Sequence, residues 1–129
     1  MRFMTLVKSA ENCGAPPPKL MDEMAKLSED ASKTGALLQA GGLAPTAISN
    51  RIRLANGKIL VLDGPFAETK EVVGGFAIFE VNSKQEMIDA TVKFMELHRD
   101  HWPGWEGETE VRQVFGPDDF EAQCRQRPE

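Results

Sequence analysis

The sequence predicts an α+β sandwich, two helices laid on one face of an antiparallel sheet. Three observations carry this: apolar runs of strand length, two stretches with helical spacing that interrupt them, and an Asn56-Gly57 dipeptide between two β-rich segments. Runs of period two and period 3.6 that alternate along one chain of 129 residues describe a single domain with one core.

The elements follow in order. Phe3 to Val7 is a continuous apolar run closed by Ser9, Asn12 and Gly14, and reads as a buried first strand. Ala15-Pro16-Pro17-Pro18 cannot extend that strand, and proline suits the first turn of a helix. From Lys19 to Lys33, Leu20, Met24, Leu27 and Ala31 fall on one helical face, and Gly35 ends the helix. Ala36 to Ala40 is a short strand stopped by Gly41-Gly42. Ile48 to Leu54 alternates apolar and basic residues, and Asn56-Gly57 signals a two-residue hairpin into Ile59-Leu60-Val61-Leu62. Gly75 to Val81 is a further strand. Ser83 with Glu86 three residues on forms a capping-box pattern opening a second helix, whose core stripe is Met87, Ile88, Thr91, Val92, Phe94 and Met95 and which fades near His98. Met24, Met87 and Met95 read as core filler. Trp102-Pro103-Gly104-Trp105 is a loop, Glu110 to Phe115 a last strand, and residues 117–129 a C-terminal extension with a short helix and a frayed tail. The economical arrangement of these pieces is the split βαβ, or ferredoxin-like, sandwich with the hairpin inserted. Strands apolar on both faces predict burial of the open sheet face against a second copy.

Composition narrows the function classes. A formal charge of -5 argues against nucleic acid, which needs a basic face to neutralise phosphates. Arg51 and Arg53 are local anion contacts or the solvated side of a strand. The N-terminal apolar run is about five residues long and meets Lys8, too short for a signal segment or a membrane span. A cytoplasmic protein follows as the expectation. Cys13 and Cys124 lack metal-binding spacing and read as reduced thiols, with a disulfide left open.

Chemistry concentrates in Asp63-Gly64-Pro65-Phe66-Ala67-Glu68-Thr69-Lys70-Glu71. Asp63 ends a strand and Gly64-Pro65 turns the chain, which fixes the carboxylate in place. Asp63 and Glu71 are the candidate proton-transfer groups, with Glu68 and Lys70 beside them and Phe66 as an apolar wall. The structural alternative is that Asp63 caps its turn by accepting from backbone N–H groups two residues on, while Glu68, Lys70 and Glu71 are solvated. A second cluster holds His98, His101, Trp102 and Trp105. The histidine spacing suits two metal ligands on one face but no third ligand is evident, and a helix C-terminus favours histidine anyway. The two tryptophans are either a lid over an apolar ligand or packing at a dimer edge.

The run DGPFAETKE followed by Gly74-Gly75-Phe76 resembles the signature of the DGPF branch of the YCII-related family. The opening Arg2-Phe3-Met4, Gly41-Gly42-Leu43-Ala44-Pro45 and Glu110-Val111-Arg112 are similar to the family layout, so the resemblance covers residues 1–116. It implies a dimer closed sheet to sheet into an α+β barrel, with a ligand cleft near the interface, and a context beside sigma factors or stress systems. Shorter members are proposed to use a His–Asp pair, but this chain has no histidine before His98.

Two functions therefore stand. One is a dimer that binds a small apolar or aromatic metabolite in a cleft lined by Phe66, Glu68, Lys70, His98, Trp102 and Trp105. It would carry out isomerase-like or lyase-like acid–base chemistry by Asp63 and Glu71, without a cofactor. The other is a non-catalytic interaction or regulatory module.

Overall fold

The computed structural model describes residues 1–66, 69–117 and 119. It is an α+β structure of two antiparallel sheets and two long helices. The strands are β1 (Arg2–Ser9), β2 (Leu37–Gly42), β3 (Asn50–Ala55), β4 (Lys58–Asp63), β5 (Val72–Glu80) and β6 (Gly107–Gln113), and the helices α1 (Pro18–Lys33) and α2 (Lys84–His101). The main sheet has the order β2-β5-β1-β6, and every neighbouring pair in it is antiparallel. β3 and β4 form a separate two-stranded ribbon.

Alternation along β1 sorts the layers. Phe3 and Thr5 turn inward and are buried, and Phe3 packs with Met87 of α2 and with Val81 of the capping segment. Phe79 and Val111, opposite on the neighbouring strands, flank this core. α1 contributes the buried Leu20 and touches both α2 and β2. The other face of the sheet carries Met4, Leu6, Phe76 and Ile78, all half-buried. The ion pairs Arg2–Glu80 at 3.4 Å and Lys8–Glu110 at 3.5 Å border it.

Most of the elements lie where periodicity puts them, and the differences have physical causes. Gly41 and Gly42 do not stop β2 but complete it, because the Phe76 ring occupies the space beside Gly41 that a Cβ would take. Ile48 belongs to a 3-10 turn (Thr46–Ile48) ahead of β3, with Ser49 N–H donating to the Thr46 carbonyl. Gly74 is the extra residue of a bulge, since Val7 pairs with Gly75 and Lys8 with Val73. The last strand begins at Gly107, three residues before the expected start, and α2 continues to His101. Ile88 and Val92 are not core: they are 36% and 49% exposed, at the edge of the helix stripe. Ser83 does cap α2, accepting from Glu86 N–H at 3.1 Å, while the Glu86 carboxylate returns to Asn82 N–H. Asn56 and Gly57 both take positive φ, the geometry a two-residue hairpin turn requires. Of the expected terminal helix and tail, residues 118 and 120–129, Cys124 included, lie outside the described residues.

Candidate functional site

The DGPF turn is built against the 3-10 turn rather than against the core. Gly64 N–H donates to the Ser49 carbonyl at 2.9 Å, and a Cβ on Gly64 would stand 1.6 Å from the Thr46 carbonyl oxygen. Only glycine allows the two backbones to lie this close. Phe66 N–H reaches Thr46 Oγ1 at 3.4 Å. Thr46 is in turn clamped from the loop after β1, where the Glu11 carboxylate accepts from Thr46 N–H and from its hydroxyl, each at 2.6 Å. These two hydrogen bonds hold the Glu11 carboxyl below the ordinary glutamate range.

Around this frame lies a cleft of about 400 Å³ lined by Leu43, Ala44, Thr46, Ser49, Arg51, Phe66, Thr69, Glu71, Val72 and Val73. The Arg51 guanidinium lies 3.9 Å over the Phe66 ring and donates to Thr69 Oγ1 at 2.9 Å. Arginine thus ties β3 to both sides of the turn, and Phe66 is a wall of the cleft. Leucine and valine supply the apolar remainder, and Glu71 brings a carboxylate to the rim.

Asp63 has a different surrounding. Directly paired residues of the ribbon share a face, which puts Arg51 with Leu62 and Arg53 with Leu60 on one side. Asn50 with Asp63, Ile52 with Val61 and Leu54 with Ile59 lie on the other. Arg51 faces the cleft, so Asp63 projects from the opposite side, and it is absent from the cleft lining. Its carboxylate accepts from Asn50 Nδ2 at 2.5 Å. The turn-cap expectation fails as well, since two residues on stands Pro65, which has no N–H, and the Phe66 N–H beyond it reaches Thr46 instead. Lys70 is exposed, and Glu68 lies outside the described residues.

The second cluster is separate. His98 is buried, its Nδ1 3.0 Å from the Phe94 carbonyl, with its ring 4.6 Å from those of Phe94 and Trp105. Trp102 stacks on Trp105 at 5.7 Å, and the Trp105 ring lies against Gly107. His98, Trp102 and Trp105 therefore pack among themselves where α2 meets β6, and they do not line the cleft beside Phe66. Among the described residues no three His, Cys, Asp or Glu side chains stand together as a metal site.

A larger groove, about 570 Å³, runs between α2 and β6 and includes Ile88, Val92, Glu96, Arg99 and Glu108. We assign the site to the smaller cleft. The groove is the open side of one helix and one edge strand, whereas the cleft joins residues of segment 43–51 to Phe66 and residues of segment 69–73 and carries several fixed polar groups. Glu11, Thr46 and Thr69 were not legible as site residues: Glu11 and Thr46 are 35 positions apart and share no motif.

Residues 1–95 match the YCII-related domain. The chain belongs to the YCII-related family. It is also similar to an uncharacterised protein of Rhizobium meliloti (strain 1021), with 32% identity over 71 residues, 55% of this chain. The match spans 57% of that relative's length. Among the described residues no helix is long and apolar enough to cross a membrane.

Proposed function

We propose that this YCII-related chain is a cytoplasmic homodimer of the DGPF branch that binds a small apolar or aromatic molecule in the cleft beside Phe66. The observation that carries the reading is the cleft itself. Its volume suits a small ligand, its apolar walls include Leu43, Phe66, Val72 and Val73, and among its polar groups Thr46, Arg51 and Thr69 are held in place by hydrogen bonds. Glu71 is the carboxylate on the cleft side and the better placed for proton transfer to a bound molecule. Asp63 lies on the ribbon's other face, away from a molecule in this cleft, so proton transfer there falls to Glu71. Chemistry of this kind, isomerase-like or lyase-like, needs no cofactor.

The order β2-β5-β1-β6 supports the ferredoxin-like arrangement, and the apolar centre of the open face supports a dimer closed sheet to sheet. A thermal-shift screen against small aromatic and aliphatic metabolites tests the reading, run beside Phe66→Ala, Glu71→Gln and Asp63→Asn. A stabilising compound whose effect disappears in folded Phe66→Ala and Glu71→Gln supports it. Compounds that stabilise all variants equally place the ligand elsewhere and refute it.

The second reading, a non-catalytic interaction module in a sigma-factor or stress system, draws on the exposed apolar side of the ribbon. It predicts silence across the metabolite panel.

A further inference from the structure

The ribbon of β3 and β4 is the least self-sufficient part of the fold. Among the described residues it pairs only with itself, outside the main sheet. Two strands alone in water are marginal at best. One face of it nevertheless presents four branched aliphatic side chains in two directly opposed pairs, Ile52 with Val61 and Leu54 with Ile59. They are 68%, 68%, 71% and 70% exposed in that order, while Phe3, Leu20 and Met87 in the core are at 1% or less. Nothing about the turn or the ladder hydrogen bonds requires this: polar residues fit such exposed positions, as Arg53 and Lys58 do on the other face.

We propose that the β3–β4 hairpin is an intersubunit arm whose apolar face is covered by a second copy of this chain, which places the Asn50–Asp63 pair at the subunit boundary. Area favours this occupant. Four aliphatic side chains at such exposure leave on the order of 500 Å² of apolar surface, already among the largest patches a monomer tolerates. A two-fold arrangement doubles it to roughly 1,000 Å², which together with the apolar centre of the open sheet face reaches the size of a specific interface. Self-complementarity follows from the pairing, since two flat aliphatic faces related by a two-fold axis form one dry layer.

Charge separates a protein surface from a lipid one. The apolar face is bordered at its base by the Asp63 carboxylate and the Asn50 amide, and the cations Arg51, Arg53 and Lys58 project from the opposite face. An anionic bilayer would meet the carboxylate and not the cations. In the dimer, the partner's surface excludes water from the side on which Asp63 lies, so this carboxylate gains its protein environment only when two copies meet. The inference rests on the dimer of the preceding section but not on the ligand cleft.

Sedimentation velocity over a dilution series tests it, with wild type, the arm variant Leu54→Lys/Ile59→Lys and the sheet-face variant Phe76→Lys. The wild type is expected to be dimeric, and the arm variant to dissociate with a constant raised about 100-fold or more while its circular dichroism is unchanged. An arm variant that dimerises like wild type, with Phe76→Lys monomeric, overturns the arm and leaves the sheet-to-sheet dimer standing. Wild-type protein that is monomeric at all concentrations overturns both, whether or not it floats with phosphatidylglycerol vesicles. Should the lysine variant misfold, Leu54→Cys replaces it: maleimide labelling at position 54, located by peptide mass, is expected to be at least tenfold slower in the dimer than in dilute monomer. Equal rates overturn the proposal.

Discussion

Replacing Gly64 with alanine is expected to release the DGPF turn from the 3-10 turn while the core stays folded. The added Cβ would stand 1.6 Å from the Thr46 carbonyl oxygen and 2.6 Å from its carbon, against an ordinary contact of 3.4 Å or more. Both atoms are backbone, so no rotamer change relieves the overlap. The two segments must part by roughly 2 Å, an overpacking that costs about 1–3 kcal/mol. The separation also breaks the Gly64 N–H bond to Ser49 at 2.9 Å, a loss of about 1 kcal/mol. Together the local cost is about 2–4 kcal/mol, or roughly 30- to 1,000-fold in an opening equilibrium. Amide hydrogen exchange reads this directly. Gly64 converted to alanine should exchange faster by that factor at positions 64 and 66, with α1, α2 and β1 amides unchanged. Wild-type protection at both positions would refute the claim that this backbone approach holds the turn.

Other outcomes follow from the same structure. Ser83→Ala removes the side-chain acceptor at the start of α2 and should cost about 1 kcal/mol, a fall of roughly 3–5 °C in Tm; no change would mean the cap is dispensable. Met87→Ala should lower the urea-unfolding free energy by about 2–5 kcal/mol, since its side chain is 1% exposed against Phe3 and Val81, and a loss under 1 kcal/mol would contradict that packing. The Glu11 carboxyl titrates below its ordinary value, so the anchoring of Thr46 is complete above the unfolded pKa and is lost as pH falls through the depressed folded one. Protection of the Thr46 amide, measured against its intrinsic exchange rate, should therefore fall in acid in wild type, and Glu11→Gln should remove that pH dependence. Gly107→Ala places a Cβ 2.3 Å from the Trp105 ring, so the tryptophan exciton couplet in circular dichroism should weaken; an intact couplet would show the stack is held from elsewhere.

The fold was legible in the sequence wherever local signals act alone. The apolar run of β1, the proline start and glycine end of α1, the Ser83 cap and the Asn56-Gly57 turn each depend on residues within a few positions of one another. Boundaries failed where a distant side chain decided them, as at Gly41, which Phe76 from another strand keeps within β2. The site was legible as a segment and not as a shape. The DGPF run does lie at the cleft, and Phe66 and Glu71 line it. Its partners Glu11, Thr46 and Arg51 come from three other segments, and only tertiary contact unites them. The tryptophan loop, expected as a lid over an apolar ligand or as packing at a dimer edge, packs on His98 away from the cleft. Pairing register separates Asp63 from Arg51, since adjacent strand positions alternate between faces and the motif alone does not say which face meets the cleft.

The central claim is that the cleft beside Phe66 receives a small apolar molecule. Its most direct test is an NMR titration of the labelled protein with a library of small aromatic and aliphatic compounds, following backbone amides. The account predicts that binding compounds shift the amides of Thr46, Phe66, Thr69, Glu71 and Val73 together, and that Phe66→Ala abolishes the response. Shifts confined to Ile88, Val92, Thr109 and Val111, along the groove between α2 and β6, would contradict it.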